Sequence, residues 1–474
     1  MKVRTRFAPS PTGYMHIGGL RTALFAFLVA RSKNGRFLLR LEDTDQKREV
    51  AGSDEHIIKT LRALNIIYDE GPDIGGSFAP YRQSERLQTY KEWAEKLIEK
   101  GRAYADPYSP EQIQKFRDEC VAAKKPFLYR NFRPKNPPLW DGTQPLRFKS
   151  DPKNYSWRDE VMGDLSAGAD AIDDFILIKS DGFPTYNFAH IVDDVEMEIS
   201  HVIRGQEFVS SIPNYLNLYD ALETGWPVFA HLPHILGESG NKKLSKRDGA
   251  KDALEYLRDG ILVEALVNFI ASMGWNDGTE QEIFSMEELI SKFTLSRIGR
   301  SGARFDEKRL TWMNGQWIKK LNFEDLYARC ENFWGGNALK STGSERKIVL
   351  KLVRDRLKTL TDLPSLSEYF FARPEPNWQL VHENKQLKKL SRDEQINLLK
   401  LTRERISQIS ESDWDEEYLQ STLNDLLVET KSKPAVLFGI VRFALTWAAF
   451  SPGLPETMTI IGKNEVLARL DAVI

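Results

Sequence analysis

The sequence predicts an α/β protein: a doubly wound parallel sheet, interrupted by an insertion and followed by an all-helical C-terminal half. Three observations predict it. Strand-like and helix-like runs alternate over the first hundred residues, the pattern of a parallel sheet with helices on its faces. That alternation stops over a stretch rich in Pro, Lys, Arg and Asp, and resumes near Ile191. Past residue 250 the apolar spacing is helical almost to the end.

Taken in order, Val3 to Ala8 is a short strand closed by the turn-forming Pro9-Ser10-Pro11-Thr12-Gly13. Leu20 to Arg31 is almost continuously apolar and rich in Ala and Leu, so it reads as a buried helix. Arg36 to Leu41 is the second strand, closed by Glu42-Asp43-Thr44-Asp45. Ser53 to Leu64 is an amphipathic helix with Ser53 as its cap and His56 on its exposed face. Ile66 to Tyr68 is expected as a third strand and Ser84 to Lys100 as a third helix. Residues 106–189 form the insertion, with strand-like runs at Pro145 to Lys149 and Phe175 to Lys179. Ile199 to Ile203 is then a strand and Ile212 to Leu222 a helix. The helical remainder is expected to break at Gly274, Gly299, Gly315 and the Leu363 to Trp378 region.

A chain of 474 residues exceeds one compact core, and 41% hydrophobic with 28% charged residues suits ordinary globular domains. No apolar run approaches the ~20 residues of a membrane span, and the N-terminus lacks the pattern of a signal peptide. Cys120 and Cys330 lie far apart, which excludes a disulfide framework and fits a reducing cytoplasm. The net charge of −2 gives no overall pull toward nucleic acid, but the charge is unevenly placed. Lys292 to Lys320 holds eight basic residues against Asp306 and Glu307, and Lys340 to Lys358 holds seven against Glu345 and Asp355. Such stretches also occur as plain solvated helix faces.

Two loops carry chemistry. In the first, a strand runs through Pro9 to His16-Ile17-Gly18-Gly19 straight into a helix. A helix N-terminus presents unpaired N–H groups and a positive dipole end, which seats a phosphate. Gly18 and Gly19 let a ligand approach the backbone, and the His16 ring can donate to the same anion. In the second, Lys243-Leu244-Ser245-Lys246-Arg247 follows Gly237-Glu238-Ser239-Gly240. Three basic side chains on a loop suit the negative charge that builds on an α-phosphate when ATP activates a carboxylate.

Together these loops resemble the two signatures of the class I aminoacyl-tRNA synthetases, His-Ile-Gly-His and Lys-Met-Ser-Lys-Ser/Arg. The preceding Ala8-Pro9-Ser10-Pro11-Thr12-Gly13 resembles the bacterial type of the glutamyl branch, where Gly commonly ends the first signature. The resemblance implies a Rossmann-like catalytic fold and a ligase that joins glutamate to tRNA through an adenylate. It places Ser10, His16, Gly18, Gly19, Glu207, Leu236, Lys243 and Lys246 around ATP, with His16, Lys243 and Lys246 catalytic. It places Arg6, Ser10, Glu42, Tyr186, His190 and Arg204 around glutamate, Arg6 on the side-chain carboxylate and Glu42 on the α-amino group. Several relatives carry Asn where this chain has His190. A bound glutamine would leave a buried guanidinium without its counter-charge, at a cost of roughly 2–5 kcal/mol.

The acidic runs Glu42-Asp43-Thr44-Asp45 and Asp193-Asp194 are expected to cap helices as strand-end residues rather than hold metal. Mg²⁺ is expected only with ATP. Some relatives bind zinc in the insertion through cysteines and a histidine. Ala103-Tyr104-Ala105-Asp106-Pro107-Tyr108 has no such ligands, so no structural zinc is expected. The resemblance covers essentially the whole chain. It implies two halves of a catalytic domain at 1–105 and 190–240, with an acceptor-stem-binding insertion at 106–189. A stem-contact domain at 241–322 and a helical anticodon-binding domain at 323–474 follow. The implied partners are glutamate, ATP and tRNA(Glu), with tRNA(Gln) left open, for a monomer that activates glutamate only when tRNA is present. The rivals are another nucleotidyltransferase acting on a small acid and a tRNA-binding paralogue without activity.

Overall fold

A computed structural model describes residues 2–240, 242–244, 251–448 and 450–474. The chain forms two compact units, one of Met1–Leu257 with Val263–Glu307, the other of Arg258–Leu262 with Lys308–Ile474. The stretch 241–322, expected as one domain, is divided between them.

The first unit begins with β1 (Arg4–Phe7), α1 (Ile17–Ser32), β2 (Arg36–Leu39), α2 (Ser53–Ala63), α3 (Leu87–Glu99) and β3 (Ala103–Ala105). It continues through α4 (Pro110–Ala122), β4 (Leu146–Phe148), β5 (Tyr155–Asp159), β6 (Gly163–Ala167) and β7 (Ile176–Ile178). After α5 (Tyr186–Glu196) come β8 (His201–Gly205), α6 (Ile212–Leu222), β9 (Val228–Leu232) and β10 (Ile235–Leu236). The unit closes with α7 (Ala253–Arg258), α8 (Val263–Ser272), α9 (Met286–Lys292) and β11 (Ala303–Arg304). A six-stranded sheet runs in the order β2-β1-β8-β9-β5-β6, parallel throughout except that β6 lies antiparallel to β5. Such an order needs helical crossovers, and α1 supplies the first by burying its Leu, Phe and Ala run against β1, β2 and β8. The segment 106–189 does not stand wholly apart, because its β5 and β6 extend this sheet. Only β4 and β7 of that segment join β3 in a separate antiparallel sheet.

Local differences from the sequence expectation have physical causes. Ile66 to Tyr68 is no strand. The described backbone there pairs with β2 through an isolated bridge between Leu38 and Glu70 just downstream, too little for a ladder, while Asp69 reaches β2 by its side chain. Ser53 does not cap α2. Gly52, in the left-handed region at φ 76°, occupies the cap position, while the buried Ser53 hydroxyl donates to the Pro11 carbonyl. His56 is half-buried rather than exposed, stacked on Tyr14 and bonded to Asp252. Asp193 and Asp194 sit inside α5 and cap nothing.

The second unit is built from α10 (Glu307–Lys320), α11 (Phe323–Arg329), α12 (Gly343–Val353), α13 (Leu363–Phe371) and α14 (Trp378–Glu383). It ends with α15 (Arg392–Ser407), α16 (Glu416–Thr430), α17 (Pro434–Thr446), α18 (Leu454–Ile461) and α19 (Lys463–Asp471). Its C-terminal core joins Leu399, Leu423, Leu437, Met458 and Leu470, one residue from each of the last five helices. Gly315 does not end a helix. It lies within α10, where even a Cβ would make only ordinary contact, 3.5 Å from the Leu357 carbonyl, so packing there does not require glycine.

Candidate active site

The C-terminal ends of β1, β8 and β9 and the N-terminus of α1 surround a cleft of about 380 Å³. Open parallel sheets bind ligands at such ends. Of the residues expected around glutamate, Arg6, Ser10, Glu42, Tyr186 and Arg204 line it. Of those expected around ATP, Ser10, His16, Gly18, Gly19, Glu207 and Lys243 line it. Lys246, with Ser245 and Arg247, lies outside the described residues.

At the helix end, His16 occupies the N-cap of α1, and its Nδ1 accepts the Gly18 N–H at 3.0 Å. The proton then resides on Nε2, the nitrogen that can donate to an anion. A Cβ at Gly18 would come within 3.0 Å of the His16 ring, so the glycine leaves room for this cap. Lys243 Nζ meets Glu207 Oε1 at 3.3 Å, and His234 faces the same carboxylate at 3.8 Å. Burial tends to raise the Glu207 pKa, but its own backbone N–H and Lys243 bring it below the usual range. Leu236 does not line the cleft. Its side chain faces Gly302, where a Cβ would stand 2.9 Å from Leu236 Cδ1, and the neighbouring Ile235 and Leu244 line the cleft instead. Successive strand residues point to opposite faces, so Ile235 takes the inward place.

Beneath the cleft lies a closed set of charges. Arg6 grips Asp194 with Nε at 3.0 Å and Nη2 at 3.2 Å. Arg40, fully buried, reaches Glu42 at 2.9 Å, Asp194 at 2.8 Å and Asp193 at 3.6 Å. Arg86 holds Asp193 at 2.7 Å. Three guanidiniums thus meet three carboxylates, and buried charges require this. Burial works to raise the Asp194 pKa, yet Arg6 and Arg40 hold it well below the usual range. Burial raises the Glu42 pKa, and Arg40 and Arg6 only partly oppose it.

Arg204 stands apart from that set. It is 6% exposed, and among the described residues it forms no ion pair. Its Nε donates to His231 Nε2 at 3.2 Å and its Nη1 to His190 Nε2 at 3.3 Å, while its buried Nη2 has no partner. His231 is fixed in turn by Asp159, whose Oδ2 takes the Nδ1 proton at 2.5 Å. The β8–β9 register puts Arg204 directly opposite His231, so both side chains emerge on one face. His190 Nδ1 donates to the Tyr186 carbonyl at 2.7 Å, one turn back along α5, and the two rings stack at 4.7 Å. Burial, and then the Arg204 charge, push the His190 pKa down to about 3, so the ring is neutral. His190 does not line the cleft: it is 2% exposed with both nitrogens engaged inside the protein, which removes it as a direct contact.

Sequence reasoning missed Arg21, Arg40, Asp159, Asp194 and His231 as parts of this site. Arg21 had a signal, a charge inside an otherwise apolar helix. It lines the cleft and donates to the carbonyls of Met273 and Pro233, and burial pushes its pKa down to about 10 despite Glu207. In the insertion, buried Asp106 takes Arg147 at 2.8 Å and the Tyr129 hydroxyl. Among the described residues no cluster of His, Cys, Asp and Glu could hold a metal ion.

Comparison with known proteins adds family models, relatives and solved structures. A model described as the catalytic domain of class I tRNA synthetases (E and Q) matches residues 2–312. One described as an anticodon binding domain matches residues 310–474. The chain is 39% identical over 479 residues to a glutamate–tRNA ligase of Clostridium tetani, covering 99% of this chain and 96% of that protein. It is 40% identical over 478 residues to one of Clostridium novyi, covering 99% and 97%. A crystal structure of a glutamate tRNA ligase from Elizabethkingia meningosepticum in complex with its amino acid superposes at TM-score 0.87. It is 32% identical and covers 100% of this chain and 99% of its own. A glutamate-tRNA synthetase from Elizabethkingia anophelis superposes at TM-score 0.86, also 32% identical, covering both chains in full.

Proposed function

The chain belongs to the class I tRNA synthetases for glutamate and glutamine, and from that membership we propose that it is a glutamate–tRNA ligase with the cleft as its active site. A carboxylate oxygen of glutamate attacks the α-phosphorus of ATP and pyrophosphate leaves, giving the adenylate. A hydroxyl at the 3′ end of tRNA(Glu) then attacks the activated carbonyl and AMP leaves.

The observation that carries the assignment is Arg204, a buried guanidinium at the cleft that has, among the described residues, no carboxylate partner and no partner for its Nη2. Such a group calls for an anion of the ligand. Glutamate supplies it with its side-chain carboxylate, and Tyr186 and Arg6 line the same cleft. Since Asp194 already compensates Arg6, discrimination against glutamine rests mainly on Arg204. Bound glutamine leaves that charge unpaired at a cost of about 2–5 kcal/mol. Glu42 receives the α-amino group.

At the other end, the α1 N-terminus, His16 and Lys243 take the phosphates of ATP, which brings Mg²⁺ with it, and Lys246 is proposed to join them. Glu207 pairs with Lys243 and serves the ribose once Lys243 turns to phosphate. The helical unit and the two basic stretches, the first of which begins in the catalytic unit, read tRNA, and the protein works as a cytoplasmic monomer.

The test is glutamate-dependent exchange of pyrophosphate into ATP, with and without tRNA(Glu). Exchange that requires tRNA and falls to background in Lys246→Ala is expected, and near-normal exchange in that variant would sink the assignment. Aminoacylation of purified tRNA(Glu) and tRNA(Gln) side by side decides whether the second is also a substrate.

A further inference from the structure

Arg204 differs from the three guanidiniums of the charge set beneath the cleft, and from Arg21, which is held by backbone carbonyls, in what holds it. Arg6, Arg40 and Arg86 are oriented by carboxylates, which fix a guanidinium and spend its charge together. Arg204 is oriented by two imidazoles, each presenting a lone pair. The donors on the far sides of the rings establish this. His190 Nδ1 must carry the proton it gives to the Tyr186 carbonyl, and His231 Nδ1 the proton it gives to Asp159, so both Nε2 atoms accept.

We propose that His190 and His231, with Asp159 behind the latter, are positioning residues that hold Arg204 by accepting its N–H groups, so that the guanidinium is oriented while its charge is reserved for the substrate's side-chain carboxylate. The inference rests on Arg204 taking that carboxylate, as proposed above. It extends the determinants of substrate choice to three residues that do not line the cleft. Asp159 is among them although it sits on β5, within the segment expected to serve the tRNA acceptor stem. It keeps its negative charge one ring away from Arg204, near enough to fix His231 and without a direct hydrogen bond to the guanidinium. Two imidazoles also restrict the geometry more than one would, since Nε and Nη1 are each engaged and Nη2 is left over.

The experiment uses the full-length enzyme with tRNA(Glu) and reads kcat and the KM of glutamate and of ATP by aminoacylation. Gln and Glu are nearly the same size and both place an oxygen near the Nε2 position of a histidine, but only Glu brings a negative charge. His190→Gln should keep the glutamate KM within about threefold, because an uncharged acceptor is retained. His190→Glu neutralises Arg204 and should raise that KM about a hundredfold with the ATP KM unchanged, the effect of withdrawing a charge-assisted contact. A merely structural histidine would make the two variants alike, and that result overturns the proposal.

If His190→Glu does not fold, His231→Leu takes its place. About a tenfold rise in glutamate KM at unchanged ATP KM is expected from losing one acceptor, with rescue by His231→Gln, whereas an unchanged KM overturns the proposal. Arg204→Gln separates this idea from the one beneath it. An unchanged glutamate KM there removes Arg204 from the pocket altogether. A raised KM there, with His190→Gln and His190→Glu indistinguishable, leaves the pocket standing and removes the clamp.

Discussion

Replacing Asp194 by Asn removes one negative charge from a buried set in which every charge has a partner. Asp194 accepts from Arg6 Nε at 3.0 Å, Arg6 Nη2 at 3.2 Å and Arg40 Nη1 at 2.8 Å, and it is 2% exposed. Without its carboxylate, Arg6 has no other ion pair among the described residues, and Arg40 keeps Glu42 and Asp193. Breaking one side of a buried pair costs about 3–5 kcal/mol, and Asn retains one acceptor oxygen, which points to the lower part of that range. Equilibrium urea unfolding of the whole chain measures the loss. Arg36→Gln is the control, because Arg36 pairs with Asp69 at 3.3 Å while 54% exposed, and such pairs contribute at most about 1 kcal/mol. The pH dependence has a definite sign. Arg6 and Arg40 hold the Asp194 carboxyl below its unfolded value despite burial. Its contribution is therefore complete above the unfolded pKa, about 3.9, and is lost as pH falls through the lower folded value. Wild type and Asp194→Asn should converge in acid. A loss no larger than that of Arg36→Gln at neutral pH, or curves that diverge in acid, would refute the account of a closed charge set.

Three further outcomes are expected. Lys243→Ala should lower glutamate-dependent pyrophosphate exchange about 10²–10³-fold without shifting the unfolding midpoint, since it removes the charge proposed to meet the phosphates, and among the described residues its Nζ bonds to the half-exposed Glu207. His190 should make stability rise with pH. Its folded pKa, about 3, lies below the ordinary 6.5, so its contribution is complete above the unfolded value and is lost as pH falls from there. Urea midpoints of His190→Gln should accordingly fall less steeply than those of wild type between pH 6.5 and 4, and parallel curves would contradict a neutral ring. Ser285→Ala should cost about 1 kcal/mol in the same assay, because Ser285 and Glu288 cap the start of α9 reciprocally.

What could be read from the sequence depended on how local its cause was. Ile212 to Leu222 coincides with α6, where Pro213 at the first turn and a nearly unbroken apolar run act within one helix. The helix read as Leu20 to Arg31 begins a turn earlier, at Ile17. Gly18 and Gly19 argue against helix on propensity, and the His16 cap that overrides them is a side-chain geometry. The pocket lining followed from motif resemblance for Arg6, Glu42 and Lys243, each beside a recognisable loop or strand end. Its electrostatics did not follow. Arg6 finds Asp194 188 positions away and His231 finds Asp159 72 positions away. Nothing in the local pattern of either residue announces its partner, and only the folded sheet brings β5 against β9 and α5 beneath β1 and β2. For that reason the sequence did not show that Arg6 pairs with Asp194 while Arg204 is bonded by two histidines.

The pairing of β5 with β9 also decides how this chain can be taken apart. Cutting at 106 and 189 seems to lift out a module, yet β5 and β6 leave with it and β3, which pairs with β4, stays behind. The remaining sheet would end on β9 with a bare row of backbone groups and a template for aggregation. His231 would also lose the Asp159 carboxylate. A foreign insertion spliced at those points must bring two strands and an acidic residue of its own. Interchange of parts among such enzymes is thereby confined to cuts made inside the segment, between α4 and β4 or within the turn joining β5 to β6, where the sheet and its histidine are left whole.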